Sequence, residues 1–443
     1  MQKRPIGIDL FAGVGGMSLG FEQAGFDIAA AVEIDPIHAA AHHYNFPQTT
    51  VIPRSIVGLS GKELRVLAHL DRRAGIDVVF GGPPCQGFSL IGHRLLDDPR
   101  NQLVKEFVRL VGELDASSFV FENVKGLTVG GHRVFLETVI DAFKDLGYRV
   151  QIPWKVLNAI NYGVPQTRQR LFLLGVKNKF AAPTYPPETT AIHSDKTGLA
   201  PTPTCFDALS DLPDAELFPE LLSSDSVPYR PKAGLSEYAR ELHCSQPSAW
   251  HFGHVRNWRP DWLTSSMRSE HTDISRRRFA KTPEGEVEPI SRFFKLSRAG
   301  YCNTLRAGTD AARGAFTSPR PIHYAFPRCI TVREMARLHG YPDWFRFHAT
   351  KWHGARQVGN SVPPPLARAV AASILKALEI APQRSAAKIE LGDPKLLTMD
   401  MGEAAAFWNV AVPIGKRDRK NGSQKRTQLE IEAILAQEKR KIS

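Results

Sequence analysis

One cysteine in this sequence stands where a reactive thiol is expected. Cys85 lies in the decapeptide Phe80-Gly-Gly-Pro-Pro-Cys-Gln-Gly-Phe-Ser89, directly after the apolar run Asp77–Phe80. That run predicts a short buried strand that the glycines end, and the prolines then hold the cysteine in a loop. Open α/β sheets keep their chemistry at the carboxyl ends of strands. Because the thiolate is the nucleophilic form, the loop predicts a nucleophile, with a buried structural cysteine as the alternative.

A glycine-rich turn near the N-terminus indicates a nucleotide-type cofactor. Residues 5–16 have the pattern of a strand, a glycine turn and the start of a helix, and a second predicted strand ends at Glu33. An acidic residue about 20 positions after the first glycine is the ribose-binding arrangement of nucleotide folds. Ser18 occupies the third-glycine position, so a dinucleotide-dependent oxidoreductase fits poorly and leaves Cys85 unexplained. Glu33 therefore predicts an adenosine-containing cofactor, with an ordinary tight turn as the alternative.

Strand-like and helical patterns alternate through the first 177 residues. The predicted helices cover Met17–Ala24, Leu103–Leu114 and Val134–Leu146, and further predicted strands cover Ile28–Val32, Ser118–Phe121 and Leu171–Val176. This order predicts an α/β fold with a doubly wound, mostly parallel sheet of the Rossmann-like type. Glu33, Cys85 and Glu122 each follow a predicted strand, so we expect them to meet at one edge of the sheet.

The chain after residue 177 changes character twice. Residues 178–327 are rich in Pro, Ser and Thr with weak periodicity, and helices are predicted again at Thr331–Leu338 and Leu366–Leu378. We therefore predict a catalytic and cofactor-binding domain of residues 1–177, completed by 352–381. A smaller, loop-rich domain covers residues 178–351, and a charged C-terminal extension covers 382–443.

Charge and cysteine usage limit the partners and the compartment. The 443 residues carry a formal net charge of +12, which favours a polyanionic partner. Residues 251–328 hold 14 Lys/Arg against 7 Asp/Glu, including Arg276-Arg277-Arg278. Arginines next to aromatic residues suit phosphate and base-edge contacts, although a charge run is more often a solvated face. The five cysteines form no C-x-x-C pair, so neither a metal site nor a disulfide framework is predicted. With no signal peptide or long apolar run, we expect a cytoplasmic protein that contacts no membrane.

Together these motifs resemble the DNA (cytosine-5) methyltransferases of bacterial restriction-modification systems. The motifs that carry the resemblance, in order, are Asp9-Leu-Phe-Ala-Gly-Val-Gly-Gly16, Glu33, Gly82-Pro-Pro-Cys-Gln-Gly-Phe-Ser89, Glu122-Asn-Val124, Gln166-Thr-Arg-Gln-Arg170, Arg328–Asp343 and Gly359-Asn-Ser-Val-Pro363. Thr304-Leu305 is similar to that family's short marker in the target-recognition region, which we place at about residues 178–327.

The resemblance implies a reaction and a role for each catalytic residue. Cys85 would attack carbon 6 of cytosine and so activate carbon 5, which takes a methyl group from S-adenosylmethionine. Glu122 would hold the ring nitrogen and the exocyclic amine, although a carboxylate in this position could also serve only a helix N-terminus. Arg168 would steady the base carbonyl and the developing negative charge, and Arg170 would brace the site.

The resemblance also implies which residues bind the cofactor and DNA. The cofactor set is Asp9, Phe11, Ala12, Gly13, Gly15, Gly16, Glu33, Ile34, Ser55, Ile56, Pro83, Leu103, Asn360 and Ser361. Ser55-Ile56 stands where the family usually has an Asp-Ile pair, which puts the adenine contact in question. The DNA set is Gln86, Ser89, Arg94, Arg276, Arg277, Arg278, Thr304 and Arg306. The loop from Gln86 to Asn101 would cover a cytosine that is flipped out of the duplex.

The expected partner is duplex DNA, and the protein is expected to act as a monomer. A cognate restriction endonuclease would act on the same site without a stable complex, and the sequence leaves open whether one exists. Two alternatives remain: an RNA cytosine-5 methyltransferase of the same fold, and a non-catalytic DNA-binding protein on this fold. The long central region favours duplex DNA, and the presence of Cys85, Glu122, Arg168 and Glu33 argues against a non-catalytic protein.

Overall fold

A computed structural model describes residues 4–71, 73–84, 101–128, 132–230, 234–308, 319–412, 419–420 and 424–425. Its centre is a sheet of eight strands: β1 (Ile6–Leu10), β2 (Asp27–Val32), β3 (Thr50–Ile52), β4 (Val78–Gly81), β5 (Ser118–Val124), β6 (Tyr148–Val150), β7 (Lys155–Asn158) and β8 (Gln169–Lys177). The order is β3-β2-β1-β4-β5-β8-β6, and β7 also pairs with β8. The first five strands run parallel, and β8 runs antiparallel to β5, β6 and β7. The predicted mostly parallel α/β sheet is confirmed.

Helices cover both faces of this sheet. The first five are α1 (Gly16–Ala24), α2 (Pro36–Asn45), α3 (Gly61–Leu67), α4 (Gln102–Glu113) and α5 (His132–Asp145). One face packs against a cluster that includes Leu64, Phe107 and Phe143, from α3, α4 and α5. Strands buried on both faces appear in sequence as continuous apolar runs, as Val78–Gly81 does.

The central region consists of short elements joined by loops. Its strands are β9 (Thr190–Ala191), β10 (Ala200–Pro201), β11 (Val227–Pro228), β12 (Val255–Asn257) and β13 (Trp262–Leu263), and its helices are α6 (Ser194–Thr197), α7 (Cys205–Leu209), α8 (Glu237–Leu242) and α9 (Asp273–Lys281). Apolar side chains of α7, α8, β11 and β13 join Ile37 and Tyr44 of α2 in one buried cluster. The central region therefore packs directly on the sheet domain.

The chain then returns to the sheet. The remaining elements are α10 (Val332–Leu338), α11 (Lys351–Asn360), α12 (Pro364–Ala377), β14 (Lys388–Glu390), α13 (Met401–Phe407), β15 (Arg419–Lys420) and β16 (Gln424–Lys425). Helix α12 packs on α1, and a Cβ on Gly20 of α1 would lie 2.5 Å from Ala367 Cβ, so the two helices approach closely. The prediction that residues 352–381 complete the first domain requires such a contact between α12 and α1.

Candidate active site

A cleft of about 460 Å³ opens at the carboxyl edge of the sheet. The residues that line it are Asp9, Phe11, Ala12, Gly13, Val14, Gly16, Met17, Glu33, Ile34, Asp35, His38, Gly82, Pro84, Glu122, Arg356, Gln357, Asn360, Ser361 and Val362. They come from the ends of β1, β2, β4 and β5 and from α11 and the turn after it. Sites of this size and position hold small-molecule ligands in open α/β folds.

Glu33 organises one end of the cleft. Its Oε2 accepts a hydrogen bond from the Gly13 N–H at 2.7 Å, and its Oε1 accepts one from the Asp35 N–H at 2.8 Å. Burial raises the pKa of the Glu33 carboxyl, while nearby His38 opposes the rise. Each carboxylate oxygen keeps a second lone pair, so Glu33 can still accept hydrogen bonds from two hydroxyls of a ligand.

A buried hydrogen-bond chain starts at Asp9, beside Glu33. The Ser18 hydroxyl donates to Asp9 Oδ2 at 2.6 Å and lies 3.1 Å from His42 Nε2. Burial raises the pKa of Asp9 to about 8 and lowers that of His42 to about 3. Ser18, which sequence reasoning treated only as a missing glycine, therefore supports a cleft-lining carboxyl group.

Glu122 lines the cleft from β5, and strands β1 and β4 separate β5 from β2, the strand that leads to Glu33. Glu122 lies within β5, opposite Phe172 of β8, and not after a strand as predicted, because the pairing with β8 extends β5 to Val124. Its Oε1 lies 2.9 Å from Arg170 Nε in an ion pair that is largely buried. Burial raises the pKa of Glu122, and Arg170 and then Arg168 oppose that rise. A Cβ on Gly82 would lie 2.3 Å from Glu122 Oε2, so a side chain at this position would displace the carboxyl group.

Arg168 is fully buried beneath this pair. Its guanidinium donates to the carbonyl oxygens of Leu305, Gly359 and Ser361 at 2.8–2.9 Å. These three carbonyls come from the central region, from the last turn of α11 and from Ser361, which follows α11. Neither arginine lines the cleft, but Arg170 pairs with Glu122, which does.

The Thr304-Leu305 segment is anchored to the same loop. The Thr304 hydroxyl donates to the Thr167 carbonyl at 2.6 Å, and the Leu305 N–H donates to Gln166 Oε1 at 3.1 Å. A Cβ on Gly359 would lie 2.4 Å from the Ala307 nitrogen. The marker segment thus joins the central region to the residues behind Glu122. Arg306 next to it is exposed.

The predicted cofactor residues divide into two groups. Those that line the cleft are Asp9, Phe11, Ala12, Gly13, Gly16, Glu33, Ile34, Asn360 and Ser361. Gly15, Ser55, Ile56, Pro83 and Leu103 do not line it. The Ser55 hydroxyl instead accepts the Val57 N–H at 3.1 Å, and Ile56 is buried in the core beneath α3 and α4.

Other predicted residues lie elsewhere or outside the described part of the chain. Cys85, Gln86, Ser89 and Arg94 fall in residues 85–100, which lie outside the described residues. Arg276, Arg277 and Arg278 lie on α9, where Arg276 pairs with Glu216 and Arg278 lies 3.4 Å from Glu288. Arg277 is the exposed member of the three.

Sequence reasoning missed several cleft residues. Asp35 and His38 begin α2, where Asp35 caps the helix by accepting from the N–H groups of Ile37 and His38. The sequence signal was the N-cap Asp followed by Pro36. Arg356 and Gln357 lie one helical turn before Asn360 on α11 and come to the cleft with it.

The described residues contain neither a membrane span nor a metal site. None of the helices in the described ranges is long and apolar enough to cross a membrane. Within the same ranges, no group of three or more His, Cys, Asp or Glu side chains is arranged to hold a metal ion.

Known proteins resemble this chain along most of its length. The family profile of C-5 cytosine-specific DNA methylases matches residues 7–376. The type II methyltransferase M.XorII of Xanthomonas oryzae pv. oryzae (strain KACC10331 / KXO85) is 55% identical over 418 residues, covering 94% of this chain and 95% of that protein. The type II methyltransferase M1.HphI of Haemophilus parahaemolyticus is 34% identical over 374 residues, covering 83% of this chain and 86% of that protein. The crystal structure of a DNA modification methyltransferase encoded within an E. coli prophage matches with a TM-score of 0.67 at 32% identity, covering 85% of this chain and 99% of that one.

Proposed function

Because this chain belongs to the C-5 cytosine-specific DNA methylases, we propose that its cleft joins a cofactor end at Glu33 to a cytosine end at Glu122. The protein is a DNA (cytosine-5) methyltransferase of the type found in type II restriction-modification systems. The observation that carries the division of the cleft is the buried ion pair between Glu122 and Arg170, which strands β1 and β4 separate from the strand that leads to Glu33.

The cofactor proposed for the Glu33 end is S-adenosylmethionine, which supplies an electrophilic methyl group when bound. Its ribose hydroxyls suit the free lone pairs of Glu33, and Ile34, which is 40% exposed, offers an apolar surface to the adenine. Asp9 offers a carboxyl group near the Gly13 turn, and a cleft of about 460 Å³ is in the range of cofactor sites. Ser55 is left out of this proposal because its hydroxyl is occupied by the Val57 N–H.

At the other end, Glu122 would act on the cytosine ring. Burial raises the pKa of this carboxyl, and in its protonated form Glu122 would donate a hydrogen bond to the ring nitrogen as negative charge develops. We assign the base carbonyl to Arg170, because it pairs with the cleft residue Glu122, and bracing to Arg168, because it donates to three backbone carbonyls. This exchanges the two roles that the sequence suggested.

Cys85 is proposed as the nucleophile. It follows Pro84, which lines the cleft, so the chain enters residues 85–100 from this end of the site. Attack of the thiolate on carbon 6 forms a carbon–sulfur bond and moves the ring electrons to carbon 5. Carbon 5 would then take the methyl group of S-adenosylmethionine, whose methyl–sulfur bond breaks and whose sulfonium becomes a neutral thioether. Loss of the carbon 5 proton and then of the thiolate restores the aromatic ring. Reaching carbon 5 requires the cytosine to leave the base stack, at a cost of a few kcal/mol.

DNA contacts are proposed for the central region. Arg277 and Arg306 are exposed and can reach phosphates or base edges, whereas Arg276 and Arg278 already pair with acidic side chains. We also propose that the domains divide at residues 177 and 351, that the protein is a monomer, and that a cognate endonuclease acts on the same site.

The decisive experiment is methyl transfer by the full-length protein. Wild-type protein is expected to methylate duplex DNA and not transfer RNA, and bisulfite sequencing of DNA from an expressing host identifies the site. Cys85→Ser is expected to remove activity while leaving cofactor binding within about twofold, since it removes the nucleophile and little volume. DNA with 5-fluorocytosine at the target is expected to trap a covalent adduct, since fluorine does not leave as a proton does. Full turnover by Cys85→Ser would contradict the mechanism, and transfer to RNA alone would replace the substrate.

A further inference from the structure

The described part of the C-terminal extension is folded against the body of the protein. Residues 388–410, which we call the strap, contain β14, a 3-10 helix at Pro394–Leu397 and α13. Leu396, Leu397, Met399, Ala404 and Ala405 of the strap are all buried. Sequence analysis treated this stretch only as a charged extension, and it lies beyond the part of the chain that the family profile matches.

One side of the strap forms hydrogen bonds with both ends of α2. The Trp408 indole N–H donates to the Pro36 carbonyl in the first turn, and the two atoms lie 3.2 Å apart. The Gly392 N–H donates to the Tyr44 carbonyl in the last turn at 2.8 Å, and a Cβ on Gly392 would lie 2.8 Å from Tyr44 Cα. Helix α2 begins directly after Asp35, so this contact fixes the helix that carries one wall of the cleft.

The other side of the strap holds the segment that leads into α11. The Leu397 carbonyl accepts the Ala349 N–H at 2.8 Å, and the Met399 carbonyl lies 3.0 Å from His348 Nε2. The His348 N–H in turn donates to Oε1 of Gln357, a cleft-lining residue, at 2.8 Å. The strap therefore contacts both α2 and the segment that leads into α11, and α2 and α11 form the walls of the cleft near Glu33.

We propose that the strap sets the spacing between α2 and α11 and so positions the cofactor-binding residues of both walls. Trp408 and Gly392 are positioning residues in this proposal, since neither lines the cleft. The inference rests on the proposed function in one respect, which is that the cleft binds S-adenosylmethionine.

The strap also ties the cofactor end to the central region. Strand β14 pairs in parallel with β12, and Asn257 Nδ2 lies 3.0 Å from each carboxylate oxygen of Glu390. The strap thus bridges the central region, for which DNA contacts are proposed, and the cofactor walls.

The test compares cofactor affinity with fold stability in full-length variants. Trp408→Ala removes the hydrogen bond to Pro36 and the ring packing on His43, and Trp408→Phe removes the hydrogen bond but keeps a ring. Val412→Ala is the matched control, because Val412 follows the strap and is 49% exposed. Each protein is titrated with S-adenosylmethionine by calorimetry and melted without ligand.

We expect Trp408→Ala to raise the cofactor Kd by fivefold or more, the factor that corresponds to about 1 kcal/mol for one hydrogen bond. Trp408→Phe should be intermediate, and Val412→Ala should match wild type. The KM for DNA should change much less than the KM for the cofactor. If Trp408→Ala does not fold, Trp408→Phe and Gly392→Ala provide the same comparison.

The contrary result is a lower Tm with an unchanged cofactor Kd in every folded strap variant. It would mean that the strap only stabilises the fold, and the proposal would be wrong. If wild-type protein itself does not bind S-adenosylmethionine, the cofactor assignment fails and the strap proposal falls with it, so the two failures are distinguishable.

Discussion

Arg168 and Arg170 are two positions apart but have different environments. Arg168 is fully buried and donates to three backbone carbonyls, whereas Arg170 pairs with Glu122 at the cleft. Removing the Arg168 side chain would leave these buried carbonyls without hydrogen bonds, and each such group lowers the free energy of unfolding by about 1–3 kcal/mol. The motif alone could not show which arginine faces the substrate, because the answer depends on carbonyls of Leu305, Gly359 and Ser361, which are distant in sequence.

The two arginine variants should therefore fail in different ways. Arg168→Ala is expected to lower the Tm by several degrees and to reduce the folded yield. Arg170→Ala leaves the buried Glu122 carboxyl without its ion-pair partner, so it is also expected to lower the Tm, but its main effect should be a fall of about 100-fold in kcat per folded molecule, the range for a group that stabilises transition-state charge. Thermal melts and single-turnover kinetics measure the two effects separately. A lower kcat per folded molecule for Arg168→Ala, with normal kinetics for Arg170→Ala, would reverse the assignment.

Asp9 makes the stability of the protein depend on pH. Its pKa is raised by burial from 3.8 to about 8, so between these values the folded state holds a proton that the unfolded chain has lost. Stability therefore falls as pH rises through that window. Asp9→Asn removes the titration and is expected to raise the Tm at pH 8 by several degrees relative to wild type, with little change at pH 4. Asp195→Asn, at an exposed position, is the control, and parallel Tm curves for wild type and Asp9→Asn would contradict the prediction.

At the scale of the elements, the close contact between β4 and β5 positions the catalytic carboxyl group. Gly82 follows β4, and a Cβ there would lie 2.3 Å from Glu122 Oε2. Gly82→Ala is therefore expected to displace Glu122 and to lower kcat at least tenfold, with a smaller effect on the cofactor Kd. Gly75→Ala is a matched control, because a Cβ at Gly75 meets no atom within 4 Å. Equal activities of the two variants would show that Glu122 can shift without loss.

Elements with strong local patterns were predicted well from the sequence. Helices α1, α4, α5, α10 and α12 and the strands before Glu33 and Cys85 lie within a few residues of their predicted limits. Helix α2 was not predicted, although the N-cap Asp35 followed by Pro36 is a local signal for it. Helix α11 and the strap were not predicted either, and the contacts that hold the strap are tertiary, such as that of the Trp408 indole with the Pro36 carbonyl. Glu122 was expected after a strand because the antiparallel partner β8, which lengthens β5, could not be anticipated from a local pattern.

At the scale of the whole molecule, the central region, for which DNA contacts are proposed, is joined to the rest of the protein by a shared core and by the buried Arg256–Glu22 ion pair, and two further contacts connect it to the surroundings of the cleft. One is the Thr304-Leu305 segment, which bonds to Gln166 and Thr167 beside Arg168. The other is the pairing of β14 with β12, which joins the central region to the strap. A region that sets sequence specificity must keep both connections to place its DNA contacts correctly over the cleft.

The region of about residues 178–327 is predicted to determine which sequence is methylated. The positive charge of residues 251–328 should give salt-sensitive, sequence-blind affinity, while single arginines that reach guanine edges should each supply about 1–3 kcal/mol of discrimination. Arg277→Ala and Arg306→Ala test whether each of these arginines binds a phosphate or reads a base. Removing a side chain that binds a phosphate should weaken binding to all sequences and flatten the salt dependence, whereas removing one that reads a base should relax specificity at one position.

Grafting this region onto a related methyltransferase tests the prediction directly, and the two connections decide how the graft is made. The graft must preserve the contact of Thr304-Leu305 with the loop before Arg168. It must also include β14 together with β12, so that the strands still pair and Asn257 still bonds to Glu390. Genome-wide mapping of methylated cytosines then identifies the site of the chimera. A graft made without β14 serves as the control, and we expect it to lose activity and not to change its site. An active chimera that keeps the recipient's site would place specificity in the sheet domain, because the transferred residues would then be present and without effect.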